Sequence, residues 1–403
     1  MKKLLYGTTA LIAVGLMAGT AVAAEKKKVE KIKLGLGGYW RAAIHLGDSD
    51  NDAPSGTAAA TDNRSHGLAQ ESEIYFSGKT TLDNGVKFGV TVQLEGETSV
   101  DQMDNSYIWT AGSFGRLEFG ETWGPSLLMS YGSVGDQIDG HSDFASNFAI
   151  GTGRPNGQFI NTFGGGAALL ATPDQKINYF TPRMAGFQLG IGYIPENKAG
   201  NMDGSGLDSK LGGTIGNELL DIGINYTGKF GDASLAGFGS YYTSDTEKSS
   251  AAALAAKDVD GYSLGGQIGI SGFRVGGRYT KTNDIAGTGA GLAVPVAGAV
   301  APAGLDRTGW RIGVDYGFGP WKVGVAHYNM EQEIAGAAAG TKSARDDEIE
   351  LSTISASYAL GPGIKMFGGL MFFDFQDSTN AAGLAPGNEG DNTIGVIGTK
   401  LSF

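Results

Sequence analysis

Eight charged residues have the types and spacing to act together. Glu121, Asp136, Asp139 and Asp143 fall in or beside one long stretch without strand patterning. If 135–144 is irregular or briefly helical, intervals of three and four place the aspartates on one side. Arg41, Lys79, Lys87 and Arg116 sit on the polar faces of strand-like segments earlier in the chain. Carboxylates set across a gap from ammonium and guanidinium groups create a transverse field, which orients and sorts polar solutes without making or breaking a bond. The competing reading of the aspartates is as solvated loop acids.

Bond-making chemistry is poorly served. His141-Ser142-Asp143 holds the residue types of a hydrolytic triad, but adjacent residues cannot reach the geometry of nucleophile, base and orienter. The chain has only four histidines, none at a metal-ligand spacing, and no cysteine. Asp48-Ser49-Asp50-Asn51-Asp52 begins like a calcium loop, yet Ala53 and Ala59 replace the required glycine and closing glutamate. Gly287-Thr288-Gly289-Ala290-Gly291 lacks the strand-to-helix setting of a nucleotide site. The expectation is a non-enzymatic protein without a resident cofactor, with calcium held at most loosely on acidic external loops.

The elements that must position these charges are strands. From Ile32 to Leu46 the even positions read Ile, Leu, Leu, Gly, Trp, Ala, Ile, Leu, while Lys33, Tyr39, Arg41 and His45 occupy odd ones. Strict period two over this length exceeds the usual strand of a soluble sheet and suffices to cross a bilayer at a tilt. The pattern returns in 74–82 and 86–94 around the hairpin signal Asp83-Asn84-Gly85, and then along the chain to about sixteen candidates. Arg41, Lys79, Lys87 and Arg116 all fall out of phase with the apolar positions and so face a lumen. Tight connections at Ser271-Gly272, 317–320 and 361–363 alternate with long ones at 48–68, 122–173, 196–217, 244–258, 282–306, 332–345 and 376–390. The expected fold is all-β: a transmembrane antiparallel β-barrel of about sixteen strands, with short periplasmic turns and long external loops. A large soluble sandwich is the alternative; the strand lengths and the aromatics near strand ends count against it.

Two segments resist this scheme. Ile349 and Leu351 are odd while Ile354, Ala356, Tyr358 and Leu360 are even, which requires a bulge or another register. In 364–375 both faces are apolar, as if one met a neighbouring subunit or an interfacial girdle.

The N-terminus has the form of a secretory signal peptide: Met1-Lys2-Lys3, an apolar run from Leu4 to Met17, and small residues to Ala24. Residues 1–24 are expected to be removed, leaving 25–403 as the barrel. The remaining chain holds 28 basic against 42 acidic residues, a formal charge of −14. That balance disfavours nucleic acid, and in a channel it favours cations if the acids line the path. The 68 glycines show no collagen period and sit among strand formers, which suggests a curved sheet.

Residues 106–120, and 176–182 with 185–187, resemble, in the general bacterial porins of the sixteen-stranded trimeric type, the strand pair leading into the constriction loop and the stretch after it. The likeness is greatest to porins of alphaproteobacteria, and the terminal Lys400-Leu401-Ser402-Phe403 resembles that family's closing strand. The resemblance implies a homotrimer in the outer membrane of a Gram-negative bacterium, among lipid and lipopolysaccharide. It implies an open channel for small hydrophilic solutes and ions, narrowed by the segment 122–173 folded into the lumen. It also implies that the barrel-assembly machinery reads Phe403. Two other readings are a substrate-selective porin and a structural or adhesin barrel with a closed pore. A plugged transporter needs an extra N-terminal domain, and only 25–31 separate the signal peptide from the first strand.

Overall fold

In the computed structural model, the structure describes residues 31–52, 65–96, 103–139, 174–195, 215–246, 258–285, 305–333, 346–376 and 389–403. The expected signal peptide, Asp143 and the part of the constriction segment from 140 to 173 lie outside the described residues.

Sixteen strands form. They are β1 (Lys33–Asp52), β2 (His66–Thr81), β3 (Lys87–Glu95), β4 (Met103–Gly112), β5 (Gly115–Thr122), β6 (Asp174–Phe180), β7 (Phe187–Ile194) and β8 (Ile215–Phe230). There follow β9 (Ala233–Thr246), β10 (Val259–Ile270), β11 (Phe273–Ile285), β12 (Leu305–Phe318), β13 (Trp321–Gln332), β14 (Asp347–Gly361), β15 (Ile364–Gln376) and β16 (Glu389–Ser402). Each pairs antiparallel with its neighbours in chain order, and β16 returns to β1, so the sheet closes. Closure matters because an unpaired backbone amide in hydrocarbon costs several kcal/mol, about the stability of a small domain. The seam runs from Tyr39 opposite Ser402 to Asp52 opposite Glu389. Beyond it, Gly38 N–H donates to Phe403 O and Phe403 N–H donates to Gly38 O, both at 3.0 Å.

Period two becomes inside and outside. Leu34, Leu36, Ile44 and Leu46 are exposed on the outer face, where lipid replaces water, whereas Arg41 and Ala43 between them are buried inside. At the short-turn ends Phe187, Phe230, Phe273, Phe318 and Trp321 stand exposed on the outside, a girdle at one membrane interface. Between β2 and β3, Gly85 takes φ +82° and Asn84 Oδ1 accepts from Val86 N–H, as the hairpin signal requires.

The two resistant segments have a single cause. The β14 to β15 register runs unbroken from Glu348 opposite Gln376 to Ala359 opposite Lys365, so there is no bulge between Ile349 and Ile354. Ile349 and Leu351 point inward and are fully buried, and Ile354 and Leu360 point outward. On β15 the inner Phe367, Met371, Phe373 and Phe375 are buried while Leu370 and Phe372 are exposed. The second apolar face therefore belongs to an inner wall, packed in one cluster with Ile138 of the segment after β5.

Candidate functional site: the lumen and its inserted loop

After β5 the chain turns into the barrel and stays against the wall. Pro125–Leu128 forms one helical turn, α1, with proline at its first position, where a missing N–H costs nothing. Asp221 on β8 anchors it: Ser126 N–H donates to the two carboxylate oxygens at 3.2 and 3.1 Å, and Ser126 Oγ donates at 3.0 Å. From there strands further round the wall offer partners. Gln267 on β10 accepts from Gly132 N–H, Arg278 on β11 donates to Ser133 Oγ, and Arg311 on β12 donates to Val134 O. Asp315 on β12 accepts from Gly135 N–H, and Ser355 on β14 accepts from Gln137 N–H at 2.8 Å.

The backbone can lie this flat because the wall lacks side chains beneath it. A Cβ added to Gly313 would meet Val134 O at 2.0 Å, and one added to Gly324 would meet Gly135 O at 2.2 Å. Both are distances that real Cβ atoms do not show. The loop answers with Gly135, at φ +96°, where it passes the Val325 carbonyl.

The described loop ends in a latch. Asp139 accepts from Arg41 of β1 at 3.1 Å, Lys400 of β16 at 3.0 Å and Lys365 of β15 at 2.5 Å. Arg41 also pairs with Glu71 of β2, and Lys400 Nζ lies 4.0 Å over the Tyr39 ring. Burial pushes the Asp139 carboxyl up, but the ammonium groups of Lys365 and Lys400 outweigh burial and hold it at about 2. Asp136 lies one step earlier, where Ile138 N–H donates to it at 2.9 Å and Tyr328 and Ser355 approach at 3.4 Å.

A closed sixteen-strand barrel is also the fold of the solved structures this chain is similar to. The sequence model of the Gram-negative porin family matches residues 7–378. The chain belongs to that family. This porin is also similar to an uncharacterized protein of Rickettsia bellii, 22% identical over 85% of this chain and 87% of that one. A second, from Rickettsia conorii, is 23% identical over 85% of this chain and 86% of the relative. Among solved structures it is similar to an anion-selective porin from Comamonas acidovorans, with TM-score 0.59 and 18% identity over 93% of this chain and all of that one. OmpT, an outer membrane protein of Vibrio cholerae in its trimer form, follows at TM-score 0.57 and 13% identity, over 93% of this chain and all of that one. At these identities the solved structures speak for the fold. With the family match, they make the chain an outer-membrane porin channel.

The porin brings together only some of the eight charged residues. Arg41 and Asp139 meet. Lys79 pairs across β1 with Lys33, whereas Arg41 pairs with Glu71. Lys79 is therefore eight residues, roughly 26 Å along the strand, from the latch. Lys87 opens β3 near the same turn, and both lysines are exposed. Arg116 also lies at the short-turn end, where it pairs with Glu118 at 2.6 Å and covers the Trp109 ring at 4.4 Å. Glu121 is buried at the end of β5, opposite Ser106 and Gln175 and one position out of phase with Arg116 and Glu118.

Residues that sequence reasoning passed over carry much of the site: Lys365 and Lys400 in the latch, Asp221 at the helix, and Asp315. The last also pairs with Arg274 at 2.7 Å and Lys322 at 3.3 Å. A signal was present. Phe273-Arg274, Trp321-Lys322 and Ile364-Lys365 each follow a tight turn with an outward apolar residue and then an inward base.

Proposed function

We propose that solutes cross this porin by diffusion between the inserted loop and the inner faces of β2 to β5. The observation that carries this reading is the course of the loop, tied by α1 to β8 and by Asp139 to β15, β16 and β1. The described part of the loop, held there, narrows the barrel from one side. The Arg41 and Asp139 pair belongs to that narrowing, with Asp143 further along the same segment, and no bond-making step is assigned to any residue. The acidic external segments hold calcium only loosely, with no resident cofactor.

We further propose a homotrimer in lipid and lipopolysaccharide, with Phe403 read by the assembly machinery. The trimer form of the similar Vibrio cholerae protein supports the first, and the exposed Phe403 ring at the closing seam supports the last.

Planar-bilayer recording of the purified protein tests the channel. Discrete conductance steps are expected, and their absence would sink the reading. Asp139→Asn combined with Asp143→Asn should move the zero-current potential toward anions; an unchanged potential would remove both residues from the constriction.

A further inference from the structure

Charge inside the barrel is unevenly distributed along its axis. At the short-turn end Lys79, Lys87 and Lys229 lie in inward phase: Lys79 with Glu71 and Glu73, Lys87 opposite Thr81, and Lys229 with Asp221 and Asn225. All three are exposed, and none has an ion pair among the described residues. The other bases at this end share few carboxylates. Arg116 has Glu118, but Asp315 serves both Arg274 and Lys322, and Lys365 shares Asp139 with Arg41 and Lys400 of the latch. Cations therefore outnumber carboxylates around this mouth.

Glu71, Glu73 and Glu95 line the inner face of β2 and β3, but other acids lie outside. Near the long-loop end Glu350 stands opposite Asp374, and Asp374 opposite Asp391. These three share the outward phase of Ile354, Leu370 and Ile397, outside the path. Net charge is thus a poor guide to what a permeating ion meets.

We propose that the basic ring at the short-turn mouth, which faces the periplasm, collects small anions such as carboxylates and phosphates, so that this acidic chain forms an anion-preferring channel. The proposal rests on the channel reading above. Its field reaches about 10 Å at 0.1 M salt and about 3 Å at 1 M, so the ring governs selectivity most when dilute solution bathes it.

The test is the zero-current potential of the full mature protein in a potassium chloride gradient, applied in both directions. Because the chain has no cysteine, Ser113→Cys in the β4 to β5 turn and a membrane-impermeant thiol reagent report which mouth faces which chamber. The chloride to potassium permeability ratio should be about twofold or more higher with the dilute side at the short-turn mouth than with it at the other. K79Q/K87Q/K229Q should abolish that difference while discrete steps persist, and E350Q/D374N should leave it intact. A triple variant equal to the parent in both directions, or a parent that prefers potassium at this mouth, would overturn the proposal. Loss of steps in the parent would instead strike the channel reading. Should the triple variant fail to insert, citrate added to the parent should block at several-fold lower concentration from the short-turn side; equal block from both sides would overturn the proposal.

Discussion

At the scale of single residues, Asp139 concentrates the electrostatics of the loop. Its carboxyl is held at about 2 against an ordinary 3.8. A folded value below the ordinary one means the latch contributes fully above about pH 4 and is lost as pH falls toward about 2. Open-channel noise should therefore stay level from about pH 7 to about pH 4 and rise below about pH 3. A rise already near pH 5 would assign control to another group. Asp139→Asn should bring the acid behaviour to neutral pH, since it leaves three cations facing an amide. Half of this latch was legible in the sequence. Strand phase put Arg41 in the lumen, and its position in a long unpatterned segment made Asp139 a lumen candidate. Lys365 and Lys400 escaped notice because their closeness to Asp139 depends on barrel closure, which brings together residues more than two hundred positions apart.

At the scale of elements, the loop and the wall are fitted to each other. Gly313→Ala would drive a methyl into the Val134 carbonyl, so the loop must lift or the sheet must give. The expected result is a loss of about 1–3 kcal/mol in thermal unfolding, with larger single-channel conductance from a loosened loop. A variant with the parent's melting temperature and conductance would show that the loop does not rest there. Asp221→Ala, which strips the partner from buried Ser126 N–H and Oγ, should cost about 1–3 kcal/mol by the same measurement. The strands were the most legible part of the molecule, because lipid outside and a polar lumen inside impose period two. The pattern failed in β14 and β15 because Ile349, Leu351, Phe373 and Phe375 face an apolar inner wall shared with Ile138, and a sequence does not say what lies across a lumen. The glycines were read as a curved sheet; at Gly313 and Gly324 they also clear a track for the loop.

At the scale of the whole molecule, a closed sheet without cysteines takes its strength from an unbroken ladder of backbone pairs. Assembly into a trimer should add to it. Unboiled samples should run near three times the monomer mass and collapse to one on heating, and a monomer band under both conditions would remove the trimer. Net charge, the one global number the sequence offers, pointed toward cations, yet its carboxylates at Glu350, Asp374 and Asp391 sit on the outer face.

The latch of Asp139 also fixes an order of events. Its partners lie on the first strand and on the last two, so the loop can be tied to β8 through α1 before its far end is fastened, which waits for the C-terminal strand. Full fastening of the loop's Asp139 end is then among the last acts of folding.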